Sequence, residues 1–416
     1  MLFIILAIVL GFLLTWSDGA NDLANIMSTT IFSRAISMKY VVIIAVFFEF
    51  AGAFLGGSGV SHTLRNGIIN TQLFINQPYV MLYGMTAVLF ATTAWMTLAS
   101  YLGLPVSVTN AMVGSIVGFG AIVLGSHAIH WQNVGFIAIS WVASPAIAGI
   151  IANLLFIMIQ RSILVKSDPY VQAKKYMPFY LFFVGIILAV MIVIKGLDHF
   201  KIDVHHHFYI PIVALTAFLV LAVFIIPMRK IKPESKYPTL HEQFAVTERM
   251  FSILMCLTAC AMVFAHGSND VAIAVGPMAS IITIAQSGGK ALLEPTLPGW
   301  IVFLGCVGII AGFFTYGRKV METVGKGITT LTPSRAFSAT IAAATTVVFS
   351  TSLGIPVSAT QTLVGAILGV GLARGIDALN LRVVRNIFMS WIITIPVSAS
   401  LSIAAYYALH ATFGVK

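Results

Sequence analysis

Charged residues are scarce in this chain. Only 9% of its 416 residues are charged, whereas 59% are hydrophobic. Soluble domains carry about 25% charged residues, and they need them to cover their surface. The low polarity also excludes a disordered chain, and the long unbroken apolar runs exclude an outer-membrane barrel. The composition therefore predicts an all-α integral membrane protein.

Cysteine is also rare, and no nucleotide-binding motif is present. The three cysteines, Cys256, Cys260 and Cys306, lie in or beside apolar stretches. They show no spacing typical of a metal site and predict no disulfide framework. Without a phosphate-binding loop, the chain by itself is not expected to drive transport with ATP.

Long apolar segments dominate the sequence. A helix needs about 20 apolar residues to cross a bilayer. Twelve segments qualify, and the sequence therefore predicts about 12 crossings: 1–30, 40–60, 78–102, 104–125, 130–158, 177–195, 207–228, 247–277, 299–317, 335–353, 354–372 and 386–410. The segments at 104–125 and 354–372 contain Gly and Pro, so re-entrant hairpins are an alternative to full spans there.

Basic residues mark one side of the membrane. Lys and Arg collect in cytoplasmic loops. Five loops on one side of the predicted topology hold most of them: Arg34, Lys39, Arg161, Lys166, Lys174, Lys175, Arg229, Lys230, Lys232, Lys236, Arg249, Arg318, Lys319, Lys326, Arg335, Arg374, Arg382 and Arg385. The opposite loops hold Arg65, Lys195, Lys201 and Lys290. The pattern predicts a multi-pass protein of the plasma or inner membrane with both termini outside, and it explains the net charge of +10 without nucleic acid.

Two sequence motifs occur twice. Residues 103–120 match 354–371 at ten of eighteen positions, and Gly-Ala-Asn-Asp at 19–22 corresponds to Gly-Ser-Asn-Asp at 267–270. Asp22 lies on the first crossing and Asp270 on the eighth, one odd and one even, so the halves are expected to run in opposite directions. The sequence thus predicts inverted repeats at 1–160 and 247–416, separated by linker or scaffold helices at 161–246.

Four carboxylates lie within apolar segments: Asp18, Asp22, Glu49 and Asp270. A charged side chain in hydrocarbon costs at least about 2.5–3.5 kcal/mol, so such residues face a cavity, bind a cation or titrate. A bond to a neighbouring helix is the structural alternative. For Glu49, a further cation or proton site and an interhelical bond are both open, and His266 could titrate or only donate a hydrogen bond.

The repeated Gly-x-Asn-Asp motifs suit a cation site. Gly, Asn and Asp at 17–22 interrupt a continuous helical pattern, which predicts a break that exposes carbonyl groups. Asp22 and Asn25 are three residues apart and share one helix face. Asn269 and Asp270 repeat the motif, but Ile273 replaces the second asparagine. Two cation sites, if both exist, therefore differ.

The repeated Gly-x-Pro-Val-Ser-x-Thr segments suit an anion site. A helix that starts there presents free N–H groups, the positive end of its dipole and hydroxyl donors. Close helix packing is the alternative for such small residues. Because no Lys or Arg lies within an apolar core segment, an anion would depend on a bound cation to offset the carboxylates.

Taken in order, Gly19–Asp22, Pro105–Thr109, Gly267–Asp270 and Pro356–Thr360 resemble the motifs of the inorganic phosphate transporter (PiT) family. The resemblance implies a phosphate symporter driven by Na⁺ or H⁺ through alternating access. It implies a coupling-cation site and, at Glu49, an additional cation or proton site; the coupling-cation residues are Asp22, Asn25, Asn269 and Asp270. The expected phosphate ligands are Asn21, Ser107, Thr109, Asn110, Asn269, Ser358, Thr360 and Gln361. The family's second-half glutamate is absent, since Ile309 stands at that position.

Three other functions fit the sequence less well. A sulfate or related oxyanion permease is the alternative within the class. A channel filter usually needs rings of carbonyls or charges, and an aspartyl protease would not need the duplicated hairpins. The sequence therefore predicts a transporter that is not an enzyme and needs no cofactor, with phosphate, a coupling cation and lipid as its partners. A homodimer and a monomer are both open.

Overall fold

The chain is helical throughout the part that the computed structural model describes, residues 1–56, 67–70, 73, 77–191, 208–235, 237–287 and 298–414. Its fifteen α-helices in these ranges are α1 (Leu2–Asp18), α2 (Ala24–Phe32), α3 (Met38–Gly56), α4 (Pro78–Leu102), α5 (Val108–Val123), α6 (Trp131–Ile159), α7 (Pro169–Met191), α8 (Tyr209–Lys230), α9 (Leu240–His266), α10 (Ala272–Gln286), α11 (Gly299–Tyr316), α12 (Arg318–Gly327), α13 (Pro333–Ser352), α14 (Ala359–Ala373) and α15 (Leu381–Phe413). An isolated antiparallel bridge joins Ile69 to Ile129. The predicted all-α membrane architecture is confirmed.

The helices coincide with the predicted segments. Within the described ranges, nine helical stretches are long and apolar enough to cross a membrane, and α5 and α14 are shorter apolar helices. The remaining predicted segment, 335–353, coincides with α13, whose Ala, Ser and Thr residues are mostly buried among other helices. Arg65, Lys195, Lys201, Lys236 and Lys290 lie outside the described residues.

The two Gly-x-Asn-Asp motifs do not unwind their helices. Gly19–Leu23 forms a π-helical turn between α1 and α2, and Gly267–Val271 forms one between α9 and α10. Gly19 itself has ordinary helical angles, φ −58° and ψ −37°. The expected break is therefore a local widening of a continuous helix. A π-helical turn adds one residue per turn, which redirects the side chains while backbone bonding continues.

Close helix contacts explain the glycines of these turns. A Cβ on Gly19 would collide with the carbonyl oxygen of Ile309 in α11. A Cβ on Gly267 would collide in the same way with the carbonyl oxygen of Glu49 in α3. Each π-helical turn is thus crossed at its glycine by a second helix, and Glu49 and Ile309 occupy equivalent places.

The two hairpins have the same local construction. Gly103 ends α4 and Gly354 follows α13, with left-handed φ angles of 72° and 71° that glycine adopts without strain. Ser107 caps α5 by accepting a hydrogen bond from the Asn110 N–H at 3.2 Å, and Ser358 caps α14 from the Gln361 N–H at 3.1 Å. A serine at this position satisfies one otherwise unpaired N–H of the first turn.

The chain ends lie on one face of the helix bundle. The Phe3 and Phe413 rings are 5.7 Å apart, and the Tyr83 hydroxyl near the start of α4 donates to the Phe413 carbonyl at 2.8 Å. The other end of α4 meets the basic helix α12, where the Thr323 hydroxyl donates to the Gly103 carbonyl at 2.8 Å. A helix of 25 residues, as α4 is, spans about 37 Å, so the termini and α12 lie on opposite faces.

Candidate functional site

Asn21 binds the loop of the first hairpin. Its amide nitrogen donates to the Ser100 hydroxyl at 3.0 Å and to the Leu104 carbonyl at 2.9 Å. Its amide oxygen accepts from the Val106 N–H at 3.0 Å. Because the π-helical turn directs this fully buried side chain at the hairpin, the connection between α4 and α5 is held against the first helix at three points.

Asn269 binds the second hairpin at the equivalent place. Its amide nitrogen donates to the Val357 carbonyl at 2.9 Å and also contacts Asp270 Oδ1. Its amide oxygen has no hydrogen-bond partner among the described residues. Both asparagines thus bind a hairpin loop, Asn21 at three points and Asn269 at one, and the second copy has one acceptor left over.

Asp22 joins both hairpins. Its Oδ1 accepts from the Thr360 hydroxyl at 2.7 Å, and its Oδ2 accepts from the Val108 N–H at 3.3 Å. The hairpins also touch directly, since the Thr109 hydroxyl donates to the Val357 carbonyl at 3.4 Å. The N-termini of α5 and α14 therefore converge on one buried carboxylate, which is the kind of ligand that a helix N-terminus attracts.

Asn25 lies on the same helix face as Asp22. Its amide nitrogen donates to the Thr360 carbonyl at 3.5 Å, and its Oδ1 has no hydrogen-bond partner in the described part of the chain. Together with the unpaired Asn269 oxygen, it gives this region neutral oxygen acceptors beside a carboxylate. Hard cations such as Na⁺ take ligands of this type.

Asp270 faces a different set of groups. Its Oδ2 lies 3.0 Å from His266 Nε2, and His266 Nδ1 lies 2.9 Å from Glu49 Oε1. Glu49 thus forms an interhelical bond between α3 and α9, which is one of the two roles that the sequence left open for it. Asn269 contacts both Asp270 and the Val357 carbonyl of the second hairpin, so it connects this set of side chains to the one around Asp22.

Asn110 and Gln361 line a lateral cavity. The cavity has a volume of 760 Å³ and lies between α6, α14 and α15, with Trp141, Pro145 and Trp391 among its mostly apolar walls. Ser107 and Ser358 accept hydrogen bonds from the backbone of Asn110 and Gln361. Among the predicted phosphate ligands, the serines and threonines lie at the N-termini of α5 and α14. The side chains of Asn110 and Gln361 line the cavity instead.

Sequence reasoning did not assign Asp18 and gave His266 no definite role. Asp18 precedes Gly19 as His266 precedes Gly267, so the two are equivalent positions of the repeated motif. That equivalence was the available signal. It was missed because a carboxylate and an imidazole look unrelated until the geometry brings them together.

Each hairpin loop also accepts a hydrogen bond from a helix in the opposite half of the chain, which the sequence did not indicate. The Trp391 indole N–H donates to the Pro105 carbonyl at 2.9 Å, and the Ser140 hydroxyl donates to the Pro356 carbonyl at 3.4 Å. Ser140 and Trp391 are separated by the same 251 residues as the hairpins. Their different residue types carried no sequence signal.

Buried carboxylates, converging helix N-termini and a polytopic helical fold define a membrane transporter of small ions. A family model described as the phosphate transporter family matches residues 18–402. The chain therefore belongs to the phosphate transporter family, as the sequence motifs predicted.

Individual relatives agree along the whole chain. A protein of Haemophilus influenzae described as "Putative phosphate permease" is 43% identical over 97% of this chain and 96% of its own length. A protein of Pyrococcus horikoshii with a similar description is 41% identical over 95% of each chain. A solved structure titled "The sodium-dependent phosphate transporter" has a TM-score of 0.89 and 36% identity, covering 99% of this chain and 100% of that one. These relatives are transporters, which confirms that the chain is not an enzyme.

Proposed function

We propose that this protein moves inorganic phosphate across the membrane in symport with Na⁺ by alternating access. Phosphate transport follows from the family, and the name of the structural neighbour supports Na⁺ over H⁺. The observation that carries the coupling is the position of the Asp22 carboxylate, which accepts hydrogen bonds from the starts of both hairpin helices.

The contacts of Asp22 suggest how a cation and an anion depend on each other. The Val108 N–H and the Thr360 hydroxyl are donors that a phosphate oxygen could use, and Asp22 occupies them. A Na⁺ bound to Asp22 would compete for the carboxylate oxygens and offset their charge. The donors would then be free for phosphate, and in this proposal neither ion would move well without the other.

The cation ligands follow from the same contacts. In the proposal, Asp22 and the unpaired amide oxygen of Asn25 bind Na⁺ from the first copy, and Asn269 adds an oxygen from the second. Ser107, Thr109, Ser358 and Thr360 surround the phosphate. With Ile273 in place of the second asparagine, the second copy offers a poorer oxygen set, and the transporter is asymmetric although its halves are repeats.

Alternating access would use the repeated architecture. We propose that residues 1–160 and 247–416 are inverted repeats and that the hairpins move against the π-helical turns. The equivalent positions of Asn21 and Asn269, and of the two hairpin caps, support this arrangement. In the proposal both termini lie outside the cell, since α12 with its basic residues lies on the opposite face.

The test is uptake of radiolabelled phosphate into proteoliposomes. Purified protein is reconstituted, and uptake is measured under an inward Na⁺ gradient, an inward H⁺ gradient or neither, with and without excess sulfate. The Asp22→Asn variant is compared with Asp377→Asn, which changes an exposed acid in a surface turn. We expect Na⁺-driven uptake that resists sulfate, is lost in Asp22→Asn and is unchanged in Asp377→Asn.

Each other outcome contradicts a defined part of the proposal. Uptake driven only by the H⁺ gradient would replace the cation. Sulfate accumulation without phosphate uptake would replace the anion. Normal Na⁺ dependence in a folded Asp22→Asn variant would remove Asp22 from the coupling.

A further inference from the structure

The lateral cavity between α6, α14 and α15 is open to the bilayer. Its volume of 760 Å³ falls within the range of about 300–1,000 Å³ for ligand pockets. Val142, Ile150 and Ile392 line it and are 73%, 61% and 65% exposed, as side chains that face acyl chains are. Asn110 and Gln361 close its inner end, but their amide oxygens are buried. A molecule in the cavity would therefore touch a mostly apolar surface.

The cavity has the depth of one bilayer leaflet. On α14 its lining runs from Gln361, in the first turn of the helix, to Leu372 in the last. These residues are eleven positions apart, which corresponds to a helix rise of about 16 Å. Half of the hydrocarbon core of a bilayer is about 15 Å thick. The cavity can therefore hold one acyl chain that lies along α14.

The helices α6 and α14 run side by side in the same direction. A Cβ on Gly365 would collide with the carbonyl oxygen of Pro145, and a Cβ on Gly369 would collide with that of Gly149. The Asn153 amide nitrogen also donates to the Gly369 carbonyl at 2.9 Å. The C-terminal ends of α6 and α14 therefore lie on the same face of the bundle.

The helix α15 begins on that face. Arg374, which follows the last residue of α14, donates to the hydroxyls of Thr329 and Thr330 at 2.9 and 3.1 Å. The Asn380 N–H, directly before α15, donates to the Ile328 carbonyl at 3.0 Å. The end of α14 and the start of α15 thus contact one short segment that follows the basic helix α12. All three walls of the cavity therefore reach the basic face.

Each of the three helices carries arginine at this end. Arg161 lies in the π-helical turn that continues α6, Arg374 ends α14, and Arg382 and Arg385 lie in the first two turns of α15. None of the four forms an ion pair within the described ranges, and Asp377, the acid between α14 and α15, is exposed. Because a cation in the first turn opposes the helix dipole, a bound anion would stabilise Arg382.

The arginines coincide with the cavity. Phe388 and Ile392 follow Arg385 by three and seven residues, so the apolar lining of α15 continues into an arginine on the same helix face. Basic residues collect on the cytoplasmic face of many membrane proteins, but here they stand at the end of an apolar cavity one leaflet deep. At the 251-residue offset of the hairpins, Val123 and Val134 replace Arg374 and Arg385. The charges are therefore specific to the second half.

We propose that an anionic phospholipid occupies this cavity, with its phosphate group at Arg374 and Arg385 and one acyl chain along α14 and α15. The arginines select an anionic headgroup, and the apolar walls bind the chain attached to it. The lipid would contact α14, whose first turn carries Thr360, without being part of the proposed transport site. The inference does not depend on Na⁺ symport.

The test uses Trp141, which lines the cavity, as a reporter. Its indole N–H has no hydrogen-bond partner in the described part of the chain, so Trp141→Phe removes the reporter with little structural change. The protein is reconstituted in mixtures of phosphatidylcholine and phosphatidylglycerol, one of which carries bromine on its acyl chains and quenches tryptophan fluorescence. The quenching that is absent in Trp141→Phe gives the relative affinity of the two lipids. We expect a preference for phosphatidylglycerol of about 10-fold or more.

Variants test the headgroup and the chain separately. Arg374→Gln and Arg385→Gln should each lower the preference about fivefold, which corresponds to about 1 kcal/mol for each basic side chain near an anionic headgroup. Arg229→Gln removes an exposed arginine at the end of α8 and should leave the preference unchanged. Ala146→Phe places a ring in the cavity and should abolish the preference, whereas Ala222→Phe, at an exposed position of α8, should not.

The other outcomes overturn the inference. Equal affinity for the two lipids would do so, as would a preference that neither arginine variant alters. Loss of the preference on addition of excess glycerol phosphate would show that the arginines bind a free phosphate group without an acyl chain. Trp141 that neither lipid quenches would also exclude a bound lipid, and a dimer in native mass spectrometry would then assign the cavity to a second copy of the chain. Since no transport is measured, failure here would leave the proposal of Na⁺ symport intact.

Discussion

Replacement of Asn21 by alanine tests whether the first hairpin is held by the π-helical turn. The side chain makes three buried hydrogen bonds, to the Ser100 hydroxyl, the Leu104 carbonyl and the Val106 N–H. Alanine removes all three and leaves two backbone groups without their partner. Because Val106 precedes the capping residue Ser107, the start of α5 should lose its fixed position.

The size of the effect follows from the number of bonds. Interhelical hydrogen bonds in membrane proteins contribute about 0.6–1.7 kcal/mol each. At about 1 kcal/mol per bond, the loss is about 3 kcal/mol, and each 1.4 kcal/mol is tenfold in an equilibrium constant. We therefore expect kcat/KM for phosphate uptake to fall about 100-fold in Asn21→Ala.

The control is an asparagine that makes one bond at the surface. The Asn133 amide nitrogen donates to the Gly67 carbonyl at 2.7 Å in an exposed position. Asn133→Ala should therefore change uptake less than threefold, which corresponds to less than about 0.7 kcal/mol. Both variants are assayed in proteoliposomes, and their thermal unfolding is followed in detergent without phosphate.

The unfolding measurement distinguishes positioning from ligand contact. If Asn21 positions the hairpin, Asn21→Ala is less stable than the unchanged protein even without phosphate. If it only contacted phosphate, stability without phosphate would not change. Uptake within threefold of the unchanged protein would refute the reasoning, since the three bonds would then have no role in the transport cycle.

Two further substitutions test the packing and the hairpin contact. Gly19→Ala places a methyl group against a backbone carbonyl of α11 and should destabilise the protein by about 1–3 kcal/mol. Gly135 has open space around it, so Gly135→Ala should not destabilise the protein. Thermal unfolding of both variants measures the difference. Thr360→Val removes the hydroxyl that donates to Asp22 and should raise the KM for phosphate about 10-fold. Thr362→Val, two residues along the same helix, serves as its control, and an equal effect of both would count against a specific role for Thr360.

Much of the fold could be predicted because the bilayer restricts the options. Each apolar segment had to be helical to satisfy the hydrogen bonds of its own backbone. Most helices coincide with the predicted segments within a few residues, although α7 begins earlier, at Pro169, and the stretch of α9 and α10 is longer, from Leu240 to Gln286. A helix start in each Gly-x-Pro-Val-Ser-x-Thr segment could also be predicted locally, and the structure adds that Ser107 and Ser358 cap the two helices. Recurrence of the motifs then indicated which positions are equivalent.

The π-helical turns could not be predicted from the same residues. Gly, Asn and Asp weaken helical bonding, but they do not decide between an unwound segment and a widened turn. Packing decided it, because Gly19 and Gly267 each lie against a backbone carbonyl of a crossing helix.

The sequence by itself determined which groups are available: four carboxylates, the asparagines and the duplicated hairpins within an apolar chain. Only the tertiary structure decided which of these groups lie next to one another. It directs Asp22 to the N-termini of α5 and α14. It also brings Asp18, His266 and Asp270 together, although Asp18 and His266 are 248 residues apart. The physical reason is that helix crossings set these distances, and a crossing depends on the surfaces of two helices rather than on the sequence of either one.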